Sequence, residues 1–152
     1  MEVFGDTQRG TFAFQGLPRF TGSFRYSLID IYDRSFDLQY QIASEGQYRP
    51  AIAVGLRDFL GTGRYSGEYV VATKTLGPNV RATAGLGWGR LGSLNDFSNP
   101  LGFIDDAFET RPDDSIVTGG TVLAGQFFRG DAAFFGGSEW RIHDEWAALA
   151  EY

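Results

Sequence analysis

Arg34-Ser35-Phe36-Asp37-Leu38-Gln39-Tyr40-Gln41-Ile42 decides the fold class. Phe36, Leu38, Tyr40 and Ile42 alternate with Ser35, Asp37, Gln39 and Gln41, and side chains that alternate with period two stand on opposite sides of a β-strand. The segment therefore carries one apolar and one polar face. In a helix the same order would scatter both sets around the axis, because facing neighbours there are three and four residues apart.

The pattern continues on both sides. Upstream, 11–15 and 19–27 are expected to form two strands broken at Gly16-Leu17-Pro18, with Phe20, Phe24, Tyr26 and Leu28 opposed to Thr21, Ser23, Arg25 and Ser27. Downstream, Ser44-Glu45-Gly46-Gln47 closes a hairpin into a strand over 48–59, where Ile52, Val54 and Leu56 oppose Ala51, Ala53, Gly55 and Arg57. Gly61-Thr62-Gly63 leads into 64–74, whose two faces differ less: Tyr65, Gly67, Tyr69, Val71 and Thr73 against Ser66, Glu68, Val70, Ala72 and Lys74. Beyond the turn Leu76-Gly77-Pro78-Asn79, the set Val80, Ala82, Ala84, Leu86 and Trp88 opposes Arg81, Thr83, Gly85, Gly87 and Gly89.

The fold class is thus all-β, an antiparallel up-and-down meander, with 1–152 a single domain or a fragment of one. Residues 91–120 collect Asn95, Asp96, Pro100, Asp105, Asp106, Pro112, Asp113 and Asp114 without period. They are expected as a long loop or plug-like insertion. Strand-like pieces resume at Val122-Leu123-Ala124 and Phe127-Phe128. Residues 139–152 fit a hairpin turning at His143-Asp144, which is preferred, or a short helix capped by Asp144.

Composition narrows the function classes. The 152 residues include 21 Gly and 14 Phe, with Gly at about twice its usual share, which suits bent, tightly turned sheets better than helices. The net charge of −6 argues against a nucleic-acid partner, which calls for a basic stripe. With no cysteine there is no disulfide scaffold or thiolate metal site. No apolar run reaches the ~20 residues of a spanning helix. Met1-Glu2-Val3-Phe4-Gly5-Asp6 lacks the basic start and apolar stretch of an export signal, so if the protein is exported this chain is expected to be mature, truncated or misannotated at its start.

Alternation alone does not say which face meets water. A soluble sandwich buries its apolar faces, whereas a membrane barrel turns them to lipid and keeps polar groups in the lumen. Three features favour the barrel: short turns such as Gly77-Pro78-Asn79 against the long connection after Leu91; Tyr26, Tyr40, Tyr48, Tyr65, Tyr69 and Trp88 where an aromatic girdle would sit; and polar faces of small residues and Arg, with Lys74 the sole lysine.

Longer ordered motifs carry a family resemblance. Tyr32-Asp33-Arg34-Ser35-Phe36-Asp37-Leu38 is followed by Tyr48-Arg49-Pro50-Ala51-Ile52-Ala53-Val54-Gly55-Leu56-Arg57-Asp58-Phe59 and Gly61-Thr62-Gly63. Tyr65-Ser66-Gly67-Glu68-Tyr69-Val70-Val71-Ala72-Thr73-Lys74, Gly85-Leu86-Gly87-Trp88-Gly89-Arg90-Leu91-Gly92, Gln126-Phe127-Phe128-Arg129-Gly130-Asp131 and Phe135-Gly136-Gly137 complete the set. From about Gly10 onward the chain resembles the YjbH family of bacterial outer-membrane exopolysaccharide proteins. The resemblance implies a noncatalytic outer-membrane β-barrel of a Gram-negative bacterium, acting in exopolysaccharide assembly or secretion. Its implied partners are outer-membrane lipid, polysaccharide and other secretion proteins. Members are much longer than this chain and begin with an export signal, so a segment or a shortened homologue is expected. The alternative class is a soluble β-sandwich carbohydrate-binding module.

Within a barrel, Arg25, Asp37, Gln39, Arg57, Glu68 and Arg81 are the expected lumen-lining, ligand-binding residues, able to bond sugar hydroxyls or attract an anionic polymer, or else to satisfy one another as ion pairs. Catalytic and metal sites find little support, and no cofactor is expected. His143 is the single histidine and sits at a turn. Asp105-Asp106 and Asp113-Asp114 lack the ordered spacing of a calcium loop. Gly85, Gly87, Gly89 and Gly92 lie in and after a strand, without the lysine or following helix of a phosphate loop, and are expected to permit strand bending or close packing. Glu68 and Asp37 as a glycosidase pair is the last-ranked reading.

Overall fold

The computed structural model describes residues 2–4, 7–27, 33–61, 65–112, 122 and 124–152. Nine strands follow one another: β1 (Glu2–Phe4), β2 (Thr7–Leu17), β3 (Phe20–Ser27), β4 (Asp33–Ala43), β5 (Ala51–Arg57), β6 (Gly67–Leu76), β7 (Val80–Gly89), β8 (Ala132–His143) and β9 (Trp146–Glu151). Each pairs antiparallel with the next, so the sheet order is the chain order and the meander expected from alternation is the fold. Among the described residues no second sheet packs on it. β1 and β9 each pair on one side only, so the sheet does not close on itself.

Local chemistry sets the strand limits. β2 runs through Gly16 to Leu17 with a bulge between Gln15 and Leu17, and Pro18 with Arg19 makes the reversal, Arg19 taking φ 76°. β5 starts at Ala51, later than expected. Pro50 brings no N–H to a ladder, and Gly46 donates to the Arg49 carbonyl at 3.0 Å, which holds the preceding residues in a turn. The ambiguity at the C-terminal end resolves as a hairpin: β8 and β9 meet through Asp144 and Glu145. The strand-like pieces before β8 are a correction, since Ala124–Gln126 is a 3-10 turn and Phe127 and Phe128 belong to the connection. The connection over 90–131 also holds 3-10 turns at Arg90–Gly92, Pro100–Phe103 and Asp106–Phe108. Asn99 and Asp105 begin the last two by accepting from the Leu101 and Ala107 amides. The connection over 30–32, the Thr62-Gly63 turn, the Asp113-Asp114 pair and Leu123 lie outside the described residues.

Register fixes the faces across the whole sheet. Phe24 pairs with Phe36, Leu38 with Leu56, Val54 with Val70, and Leu86 with both Val70 and Phe134, so the apolar sets of β3 to β8 form one continuous face. The polar face is concave. Gln15 and Arg81, on β2 and β7, line one cavity, whereas a flat sheet would hold those strands about 24 Å apart. Inside the curl, side chains lie flat over glycines. A Cβ on Gly55 would meet the Tyr69 ring at 2.2 Å, one on Gly85 the Phe135 ring at 2.4 Å, and one on Gly87 the Leu91 Cβ at 2.5 Å. For Gly85 and Gly87 that is the close packing expected.

The two ends of the sheet differ. One end holds the short reversals at Pro18-Arg19, Gly77–Asn79 and Asp144-Glu145 together with the 44–50 connection. There Glu45 accepts from Lys74 Nζ (2.9 Å), the Thr75 amide (2.8 Å) and Thr75 Oγ1 (3.1 Å). The Lys74 ammonium and the Thr75 amide hold the Glu45 carboxyl below its ordinary pKa. The other end carries the connections 58–66 and 90–131.

The buried apolar residues among those described are Ala53, Trp88, Ala132 and Ala133, and the last three lie where residues 91–99 fold against the sheet. The chain exposes 10661 Å², against roughly 7,600 Å² for a compact folded monomer of 16.8 kDa.

Candidate functional site

Five of the six expected lumen residues share the concave face. Asp37 anchors a polar network at the loop end. Its Oδ2 accepts from Ser23 Oγ at 3.1 Å, and its Oδ1 from Ser35 Oγ (3.3 Å) and the Asp58 amide (2.9 Å). Arg25 Nη2 donates to Ser35 Oγ at 3.0 Å, and Asp58 Oδ2 accepts from the Tyr65 amide. Ser35 and Asp58 are buried. Asp58 holds φ 54°, a left-handed backbone that aspartate tolerates better than most residues. The network ties β3, β4 and the end of β5 together, so Arg25 and Asp37 satisfy one another through Ser35 rather than as a direct ion pair.

Toward the middle, Gln39 Oε1 accepts from Tyr69 Oη at 2.7 Å, and the Tyr69 and Phe135 rings meet edge to face with centroids 6.4 Å apart. Thr73 and Thr83 share a hydrogen bond of 3.0 Å across β6 and β7. Arg57 and Arg81 lie on this face with no ion-pair partner among the described residues.

Glu68 departs from the set. It pairs with Leu56 on one side and Trp88 on the other, which puts it on the apolar face. It is 1% exposed. Arg111 from the long connection forks onto it, Nη1 to Oε2 at 2.8 Å and Nη2 to Oε1 at 3.1 Å, while Nη2 also donates to Ser66 Oγ and the Phe128 amide donates to Oε2 at 2.9 Å. A two-pronged, charge-assisted contact of this kind is among the stronger polar contacts available to a protein. Beside it, Trp88 Nε1 donates to Asn99 Oδ1 at 3.0 Å, and Asn99 Nδ2 donates to the Phe108 and Phe128 carbonyls at 2.8 Å each. The Phe128 ring stands edge-on to Trp88, and Phe97 stacks on Phe134. The arrangement is a clasp that fastens residues 97–111 and 128–130 over the loop end of the convex face. Because Asp37 and Glu68 stand on opposite faces, the sheet itself separates the last-ranked carboxylate pair. His143 is exposed at the β8–β9 hairpin.

Ser66, Asn99 and Arg111 were not among the expected functional residues, and neither was Arg19, which lines the concave cavity. The girdle expectation also needs correction. Tyr69 points into the concavity and Trp88 is buried beneath the clasp, while Trp140 and Trp146 stand exposed at the turn end.

The fold and its two faces define an all-β meander protein with a polar concavity and an apolar outer surface. The family YjbH, described as "Exopolysaccharide biosynthesis protein YbjH", matches residues 1–152, and the chain belongs to that family. It is 41% identical over 109 residues to a protein of Escherichia coli (strain K12) named "Uncharacterized lipoprotein YjbH", an alignment covering 72% of this chain and 15% of that protein. The chain therefore spans a small part of the length of the curated relative it matches. No solved structure matches it.

Proposed function

We propose that this chain forms a stretch of the wall of an outer-membrane β-barrel in a Gram-negative bacterium, a noncatalytic protein that takes part in exopolysaccharide assembly or secretion. The observation that carries the proposal is the exposed convex face. Phe12 is 66%, Ile42 52%, Phe134 64% and Trp140 53% exposed on one continuous apolar face, and soluble monomers rarely leave large contiguous apolar surfaces in water. Lipid is the solvent that suits it. β2, β4, β6, β7 and β8 run 10 to 12 residues, and about 9–11 residues cross a bilayer when tilted. No helix among the described residues is long and apolar enough to span. Short reversals at one end and long connections at the other match the periplasmic and external sides of such barrels. The open β1 and β9 edges would pair with further strands of the complete protein. The relative's name, a lipoprotein, fits an envelope location, and the family description supplies the exopolysaccharide role.

The test uses the complete reading frame with its export leader. These 152 residues contain no cysteine, so, with any cysteine elsewhere in the complete protein replaced, Val70→Cys on the convex face and Gln41→Cys on the concave face provide single labelling sites. Recovery in the outer-membrane fraction, with Val70→Cys labelled only by a lipid-soluble maleimide and Gln41→Cys by a water-soluble one, supports the proposal. Recovery in the soluble periplasmic fraction overturns it.

A further inference from the structure

The turn end of the concave face holds a cavity of about 240 Å³ whose charged lining residues are Arg19 and Arg81. The rest of its polar lining comes from Gln15, Gln39, Gln41 and Thr73 among others, and no carboxylate joins them. That runs against the composition, since acidic residues outnumber basic ones 19 to 13. Neither arginine has an ion-pair partner among the described residues. The acids nearest Arg81 in register have other contacts: Glu139, directly across from it, lies 3.9 Å from Arg141, and Glu45, bonded to Thr75 on the strand at its other side, is held by Lys74 and Thr75. A second cavity of about 460 Å³ shares Arg81 and continues past Thr83 and Phe135 to Tyr152 and two carboxylates, Glu139 and Glu151, so the cationic character is confined to the Arg19 and Arg81 end. Arg81 thus stands where a cationic, amide-rich pocket opens into a longer groove with an aromatic floor.

Guanidinium groups without partners bind carboxylates through paired donors. Amide and hydroxyl side chains suit sugar hydroxyls, and an aromatic ring offers the apolar body a pyranose can cover. Resting on the barrel reading, we infer that the turn end of the concavity is a subsite for an acidic sugar unit of the polymer. Arg19 and Arg81 hold its carboxylate, Gln39, Gln41 and Thr73 take hydroxyls, and Phe135 underlies the neighbouring unit. In the proposed orientation this end faces the periplasm, so an acidic polymer meets the subsite on entry.

Isothermal titration of the complete protein in lipid nanodiscs, with tetragalacturonate and neutral cellotetraose as probes, tests the assignment. The acidic tetramer is expected to bind about tenfold tighter or more, with the preference shrinking as salt rises. Arg19→Gln and Arg81→Gln should each weaken the acidic probe about tenfold while leaving the neutral one unchanged. Neither side chain has an ion-pair partner among the described residues, so the variants keep the fold, checked by circular dichroism. Equal affinity for the two probes, or an unchanged acidic affinity in the double variant, overturns the subsite. A membrane-inserted protein with no acidic preference refutes the subsite and leaves the barrel standing. A soluble protein that still prefers the acidic probe refutes the barrel and leaves the subsite standing.

Discussion

Arg111→Ala should open the clasp without unfolding the sheet. The substitution leaves the Glu68 carboxylate, 1% exposed, with the Phe128 amide as its remaining donor. Breaking a buried ion pair from one side costs about 3–5 kcal/mol. Arg111 is itself 15% exposed, so water reaches the site and the cost falls toward the lower end. At about 3 kcal/mol the open form gains roughly a hundredfold in population. Hydrogen exchange reads this directly. The Phe97 amide bonded to the Ala132 carbonyl (2.8 Å) and the Gly130 amide bonded to the Phe108 carbonyl (3.0 Å) should exchange about a hundred times faster, while amides of the β6–β7 ladder keep their protection. Glu68→Gln retains an acceptor for the Phe128 amide and should cost less, about 1–2 kcal/mol. Unchanged exchange at Phe97 and Gly130 would show that the ion pair does not fasten the connection. Equal acceleration throughout β6 and β7 would show that the clasp and the sheet are one cooperative unit.

Asn99→Ala removes the acceptor for Trp88 Nε1–H and two donors to part-buried carbonyls, a loss of about 2–3 kcal/mol that should appear as a red shift of Trp88 emission in a variant lacking the other tryptophans. Gly85→Ala places a Cβ 2.8 Å from the Val70 carbonyl oxygen. No side-chain rotation relieves that contact, so urea unfolding in bilayers should show a loss of about 1–3 kcal/mol, whereas Gly10→Ala, in open space, should not. The depressed Glu45 carboxyl titrates lower folded than unfolded, so its contribution is present above the ordinary value of 4.5 and is lost as pH falls through the folded value. Carboxyl titration by NMR should find Glu45 returning toward 4.5 in Lys74→Met, and an unmoved midpoint refutes the assignment. Val70→Arg, on the convex face, should weaken folding into bilayers by about 2–4 kcal/mol, with Gln41→Arg on the concave face near neutral; equal effects would deny that the two faces meet different solvents.

The meander was legible because its evidence is local. Each of β4, β5 and β7 carries enough contrast between odd and even positions to declare a strand, and Gly, Pro and Asn mark the reversals. The limits were less legible where one residue outweighs the pattern, as Pro50 does in delaying β5. The C-terminal hairpin was balanced against a helix because Trp146-Ala147-Ala148-Leu149-Ala150 has good helix propensity. The ladder to β8, in which Trp140 pairs with Ala148 and Ser138 with Ala150, overrides it, and ladder partners are a tertiary fact. The turns inside the long connection did carry a local signal: Asn99 before Pro100 and Asp105 before Asp106 are cap positions, hidden among the other polar residues of that stretch.

The concave set was legible except for Glu68, and the reason is physical. On β6 both faces mix polar and apolar residues, so period two separates them without saying which joins the polar face of β4; only the register Leu56 to Glu68 to Trp88 decides it. The partner that makes a buried glutamate tolerable comes from Arg111, too distant in sequence for any spacing rule. Once placed, Glu68 and Lys74 bracket the convex side of β6, each tied to a connection at its own end, with Val70 and Ala72 between them. In the proposed barrel the hydrocarbon must lie between those two charges, about 20 Å along the strand at ~3.4 Å per residue, less than the ≈ 25 Å apolar band of such barrels. Burying Glu68 under the clasp and letting the Lys74 stem reach out to Glu45 widens the stretch that lipid can cover, so the two fastenings serve the outer face as well as the connections they hold.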